Sequence, residues 1–257
     1  MLDIPDNEIH LWFVEHQQIT DTDLLEAYRG LLNNEEEKRF QRFVFPKHKL
    51  QFLASRALLR TVLADYLDQP PSGLVFARNA YGKPRIASFE MPLPLAFNLS
   101  HTNDMTVLAV TQGGEIGVDV EYITRKVDIL KLAERYFSAQ EASDLKQLGV
   151  DKFNQRFIEL WTLKEAYIKA CGMGLAIPLR DFSFIFKSEG IEISFAEERE
   201  DNPEHWRFWQ FLHNHQFQIA LALKEENNRA NKNIIIWSGI PLGSFTEKEV
   251  LLTNKSL

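Results

Sequence analysis

Cysteine is almost missing from this chain: of 257 residues only Cys171 carries a thiol. That excludes a disulfide within the chain and a cysteine-built zinc site, and it suits a reducing compartment. Long apolar runs are missing as well. No stretch approaches the roughly 20 residues that cross a bilayer, and residues 1–12 carry acids where a secretory leader needs positive charge. The expectation is a cytoplasmic protein with no membrane partner. Positive charge is in deficit, with 29 Lys and Arg against 36 Asp and Glu and a formal net charge of −7. A general nucleic-acid binder shows the opposite balance, so no nucleic-acid partner is expected. There is no Walker phosphate loop and no glycine-rich dinucleotide fingerprint. No nucleophile elbow surrounds Ser100.

What the chain does have is ordinary globular material. With 45% hydrophobic and 25% charged residues it can build one large domain or two small ones. The apolar periods predict a strand at 9–14, a short helix ending near Gly30 and a charged helix at 35–43. Pro46 opens a long helix, because proline at the first helical position gives up no hydrogen bond. Pro70 and Pro71 stop it. A strand near 74–77 precedes the turn 79–84. Residues 95–99 and 105–110 predict a hairpin around the polar turn 100–104. A strand follows at 116–122, with helices at 128–137, 139–148 and 152–171. Gly172 closes the last of these. Strands are expected at 182–186, 191–195, 206–212 and 217–223.

The second half loosely repeats the first. Each runs strand, short helices, long helix, a strand soon after a proline, then a hairpin with a polar turn. The expected architecture is α+β, with two similar α+β subdomains and a cleft between them. Each subdomain would pack a long helix on a small, mainly antiparallel sheet. The breaks fall at 113/114 and 240/241, giving subdomains 1–113 and 114–240 and a polar tail, 241–257.

Charge is patterned within that frame. Residues 38–85 hold ten Lys and Arg and only Asp65 and Asp68 against them, a local balance of +8. Such a run is either a solvated helical face or a seat for a polyanion. Asp119 and Glu121 are two apart on a strand, so their side chains leave the same face. Adjacent carboxylates repel unless one takes a proton or a cation lies between them, and an oxygen-only set suits Mg²⁺ or Ca²⁺. A solvated strand end is the plainer reading. On the long helix Trp161, Glu165 and Lys169 fall at i, i+4 and i+8 and make one ridge. Glu165 and Lys169 could be a surface pair, but the rest of this helix is apolar nearly all round. Lys83 sits in a tight Gly-Lys-Pro turn. Ser100 and His101 put a hydroxyl and an imidazole at a hairpin tip. Cys171, in an apolar run at a helix end, reads as a packed thiol.

Taken in order, these segments resemble one family. Arg42-Phe-Val-Phe, Tyr81-Gly-Lys-Pro, Phe97-Asn-Leu-Ser-His, Ile116-Gly-Val-Asp-Val-Glu, Arg135-Tyr-Phe-Ser, Trp161-Thr-Leu-Lys-Glu-Ala-Tyr-Ile-Lys-Ala and Gly172-Met-Gly-Leu are similar to the motifs of the Sfp-type 4′-phosphopantetheinyl transferases. The likeness covers about residues 38–175. It implies a pseudo-dimer of two α+β halves with the site at their interface. It also implies transfer of the phosphopantetheine arm of coenzyme A to a serine of an acyl or peptidyl carrier protein, with release of 3′,5′-ADP. The related holo-carrier-protein synthases are trimers of about half this length, so a monomer of the Sfp type is expected.

Carried over by position, Asp119, Glu121 and Glu165 are the implied Mg²⁺ ligands. Glu165, or a water on the metal, is the implied base for the carrier serine, and Lys169 the group at the leaving phosphate. Lys164 would contact the pyrophosphate. Lys83 and Pro84, with Ser100 and His101, match positions around the adenine and 3′-phosphate. Arg42, then Arg39, Arg56 and Arg78, would add cations. The family often has a serine where this chain has Thr102, and the hydroxyl is kept. Helices at 128–148, with Leu130, Leu132, Tyr136, Phe137 and Leu145, lie where the family docks its carrier, though these residues could equally be core. Two alternatives stay open: a non-catalytic, coenzyme A-binding regulatory protein of the same fold, and a different Mg²⁺ enzyme acting on a pyrophosphate substrate.

Overall fold

The computed structural model describes residues 2–87, 95–124, 129–226 and 231–256, with residues 150 and 151 as backbone alone. In the first half β1 (Glu8–Glu15) leads to α1 (Thr22–Gly30), α2 (Asn34–Gln41) and the 22-residue α3 (Pro46–Leu67). β2 (Phe76–Arg78), β3 (Pro84–Ile86), β4 (Leu95–Thr102) and β5 (Met105–Gln112) follow. In the second half β6 (Glu115–Tyr122) leads to α4 (Ile129–Tyr136), α5 (Ala139–Gln147) and the 22-residue α6 (Val150–Cys171). Then come β7 (Phe182–Phe186), β8 (Ile191–Phe195), β9 (Trp206–His213) and β10 (Phe217–Lys224). Three more strands close the chain: β11 (Asn233–Gly239), β12 (Phe245–Glu247) and β13 (Leu251–Lys255).

Local chemistry sets these boundaries. The Asp21 carboxylate accepts from the amide of Asp23 and caps α1. Asn33 and Glu36 form a reciprocal capping box on α2, whose acids crowd its first turn and whose Lys38 and Arg39 lie in its last, as the helix dipole favours. Pro46 begins α3 as expected. The helix stops before the two prolines, where Asp68 turns left-handed at φ 49°.

The internal repeat is visible as topology. In the first half β1 pairs antiparallel with β5, and β5 with β4. In the second, β6 pairs antiparallel with β10, and β10 with β9. A two-stranded ladder stands between long helix and hairpin in each, β2–β3 and β7–β8. The chain is thus α+β, with two compact units that change over between Gly113 and Gly114. In the first unit α3 buries Leu53, Ala57, Leu58 and Leu63 together with Trp12, Phe97 and Leu108. In the second α6 buries Phe157, Leu163, Ala166 and Tyr167 with Phe182, Phe208 and Ala220.

The last strands depart from the expected order. β11 lies parallel to β1 in the first sheet, and β12 adds to β11. β13 instead pairs with β9 in the second sheet. Residues 241–257 are therefore not a detached polar tail, and residues 233–239 do not belong with the second subdomain. β11 brings an apolar run, Ile234 to Trp237, whereas the short β12 and β13 are held in their sheets by main-chain pairing. The hairpin turn also shrinks: Ser100 and His101 lie within β4, and Asn103 and Asp104 alone make the turn.

Gly117 fixes how closely α6 lies on β6. A Cβ there would fall 2.1 Å from the carbonyl oxygen of Ala166 and 2.4 Å from the amide nitrogen of Ala170. Gly117→Ala should therefore push the helix off the strand and destabilise the protein by about 1–3 kcal/mol or more. A denaturant midpoint equal to wild type would show that no such contact exists in solution.

Candidate active site

β6 and α6 supply the charged centre. Gly117, Asp119 and Glu121 share one face of β6 by alternation, and Gly117 abuts the backbone of α6. Asp119 is 4% exposed. Its Oδ1 accepts from Lys169 Nζ at 2.6 Å, an ion pair between strand and helix. Glu165 lies one helical turn before Lys169. On α6 from Trp161 to Ala170, only Trp161, Glu165 and Lys169 escape full burial, so the ridge read from the spacing is real. Glu121 is half-buried near the end of β6, opposite Gln218. Among the described residues no three carboxylate, imidazole or thiol groups already converge on one point. The Lys169 ammonium is the cation at Asp119 in this arrangement.

Lys164 corrects an expectation. It is fully buried, one residue round the helix from the ridge. Its ammonium donates to the carbonyls of Leu179 and Phe182 at 2.7 and 2.6 Å. It pairs with Glu141 at 2.8 Å and lies 4.2 Å from the Phe182 ring centre. Burial lowers its pKa below the usual lysine value. A cation so enclosed cannot meet a pyrophosphate. Glu141 is held in turn, accepting from the amides of Ser138 and Phe184. Ser138 and Glu141 form the capping box of α5, and Glu141 also serves as the counter-ion of Lys164.

Lys83 departs in a similar way. The Asn79 side chain braces its turn, accepting from the amides of Tyr81 and Lys83. The Lys83 ammonium donates to Ala170 O at 2.7 Å and Ile116 O at 3.1 Å, and burial lowers its pKa. It caps the carbonyl end of α6, a favourable place for a cation. Gly172, at φ 69°, lets the chain leave the helix there. The ammonium is thus committed to the fold.

The second group of candidates lies in the first unit. Arg56 on α3 is pushed below the usual guanidinium pKa by burial, with Arg39, Arg60 and Arg78 adding repulsion and Glu36 opposing it. Glu36 takes Arg60 at 2.8 Å and Arg56 at 3.6 Å. Arg60 is also tied to the carbonyls of Pro71 and Leu74 and is structural. Arg39 and Arg78 are exposed, and Arg42, at the end of α2, is exposed too. Among the described residues Arg56 Nε is buried with no hydrogen bond. A dense cationic group with one carboxylate and an unsatisfied buried donor suits an anion. Ser100 is buried in β4 and His101 exposed beside it, with His101 Nδ1 2.7 Å from Gln51 Nε2. Nothing in the sequence singled out Gln51 or Glu36. Cys171 is a packed thiol, its pKa raised by burial.

On the helices expected to meet a carrier, Phe137 and Leu145 are core, whereas Leu130 is about half exposed and Leu132 and Tyr136 are partly so. Among the described residues no helix is long and apolar enough to cross a membrane.

The family model described as the 4′-phosphopantetheinyl transferase superfamily matches residues 115–222. A second, the N-terminal region of 4′-phosphopantetheinyl transferase, matches residues 18–113. A putative 4′-phosphopantetheinyl transferase of Synechocystis sp. is 39% identical over 61% of this chain, which spans 63% of that protein. The 4′-phosphopantetheinyl transferase HetI of Nostoc sp. is 35% identical over 74% of this chain and 75% of its own length. The 4′-phosphopantetheinyl transferase Sfp of Bacillus subtilis is 32% identical over 64% and 71%.

Proposed function

Since the chain belongs to the 4′-phosphopantetheinyl transferase superfamily, we propose that it moves the phosphopantetheine arm of coenzyme A to a serine of an acyl or peptidyl carrier protein. The serine oxygen attacks the pantetheine-bearing phosphorus, the bond from that phosphorus to the bridging oxygen breaks, and 3′,5′-ADP leaves. The observation that carries this reading is the Asp119–Lys169 pair at 2.6 Å, with Glu165 one turn away on the same ridge. Glu165 takes the serine proton, without which a hydroxyl is a poor nucleophile. Lys169 steadies or protonates the leaving phosphate.

Asp119, Glu121 and Glu165 would hold Mg²⁺. Their all-oxygen donor set fits that ion, which takes one or two carboxylates and fills its remaining positions with water and phosphate. The pairing of Asp119 with the Lys169 ammonium at 2.6 Å supports a cation seat there. When bound, the ion would neutralise charge on the pyrophosphate. Arg39, Arg42, Arg56 and Arg78, with Ser100 and His101, hold the nucleotide phosphates, and Pro84 with the Lys83 backbone meets the adenine. The carrier docks on α4 and α5 through Leu130, Leu132 and Tyr136. The protein works as a cytoplasmic monomer.

Incubation with coenzyme A, Mg²⁺ and a panel of apo carrier proteins should add one phosphopantetheine mass to at least one carrier, read by intact mass spectrometry. No mass gain on any carrier, together with tight coenzyme A binding in calorimetry, would favour the non-catalytic binder instead.

A further inference from the structure

Gln51 lies on the first turns of α3, and two contacts of its side-chain nitrogen settle more than position. Nε2 is 3.0 Å from the carbonyl oxygen of Thr102 and 2.7 Å from His101 Nδ1. A carbonyl oxygen can only accept, so the amide end that faces it must be nitrogen. Reversing the amide would set two acceptors against each other. The amide nitrogen donates and does not accept. His101 Nδ1 must therefore accept, and an accepting nitrogen carries no proton. In the neutral ring the proton then sits on Nε2.

The frame behind Gln51 is fixed independently. Ser55, one turn on, donates to Gln51 O at 2.7 Å and lies 3.1 Å from the hydroxyl of Thr106. His16 Nε2 meets that hydroxyl at 2.8 Å. Thr106 is the cross-strand partner of His101. Helix, hairpin and side-chain amide thus close a ring of contacts around the imidazole.

We propose that Gln51 is a positioning residue that locks His101 in the Nε2–H tautomer, so that the ring offers the 3′-phosphate of coenzyme A a neutral, oriented N–H donor. Assignment of His101 to that phosphate rests on the transfer reading above; the tautomer does not.

Two measurements separate them. Long-range proton–nitrogen NMR of ¹⁵N-labelled protein at mildly alkaline pH should show His101 with bare Nδ1 and protonated Nε2. In Gln51→Leu the ring should become a tautomer mixture, and in Gln51→Glu the proton should move to Nδ1. In the transfer assay Gln51→Leu should raise KM for coenzyme A about three- to tenfold, the value of one hydrogen bond, with kcat unchanged. KM for dephospho-coenzyme A, which lacks the 3′-phosphate, should not respond. A wild-type ring protonated on Nδ1 overturns the proposal, whatever the activity. So does an unchanged coenzyme A KM in Gln51→Leu. If no carrier is modified at all, the transfer reading fails, and the NMR alone decides the tautomer.

Discussion

Asp119→Asn should lower kcat/KM for phosphopantetheine transfer by about two to three orders of magnitude, the usual scale for removing one preorganised electrostatic partner. Asparagine keeps the volume and an acceptor for Lys169, so the strand and helix should stay together. What goes is the negative charge that Lys169 now faces at 2.6 Å and that a bound cation would need. Glu165→Gln should be as severe for a different reason: an amide cannot take the serine proton. Circular dichroism and melting temperature should stay near wild type in both. If both variants kept near-normal turnover, the charged ridge of α6 would not be the catalytic centre.

The second large effect is on stability. Lys164→Ala should cost about 3–5 kcal/mol, because it leaves Glu141 buried with its cation gone. Replacing both, as Lys164→Met with Glu141→Gln, should recover part of that loss. Truncating one partner of a buried pair is worse than neutralising both. Recovery should be incomplete, since Glu141 also receives the amides of Ser138 and Phe184. Urea unfolding of Lys164→Met, Glu141→Gln and the double closes the cycle. If Lys164 instead gripped a pyrophosphate, Lys164→Ala would raise KM for coenzyme A and leave the unfolding midpoint where it was.

That contrast shows what the sequence could and could not reveal. The Trp161–Glu165–Lys169 ridge was legible because helical spacing alone places it. Asp119 and Glu121 were legible by strand alternation. Lys164, inside the same motif, was misassigned because charge suggested solvent or ligand. A rotation of one residue on α6 instead turns it into the core, where Glu141 from α5 and two carbonyls receive it. No local pattern predicts a partner over twenty positions away. The place of the Lys83 ammonium was no more legible, since its acceptors are main-chain oxygens of Ile116 and Ala170 and no side chain advertises them. The α+β class and the repeat followed from hydrophobic period. β11 should have been read from Ile234, Ile235 and Ile236, a β-branched run of the kind strands favour. Its parallel pairing with β1 had no local cue.

That pairing has a consequence for how the molecule is made. Residue 8 pairs with residue 233, so the first sheet cannot gain β11, or β12 beyond it, until residue 233 has left the ribosome. β1, β4 and β5 must wait with one flank of β1 unpaired while the second unit is synthesised. Closing so long a loop is slow, and an unpaired strand flank is a template for wrong partners. Yield in cells should therefore depend more on the stretch 233–239 than its distance from the catalytic ridge would suggest.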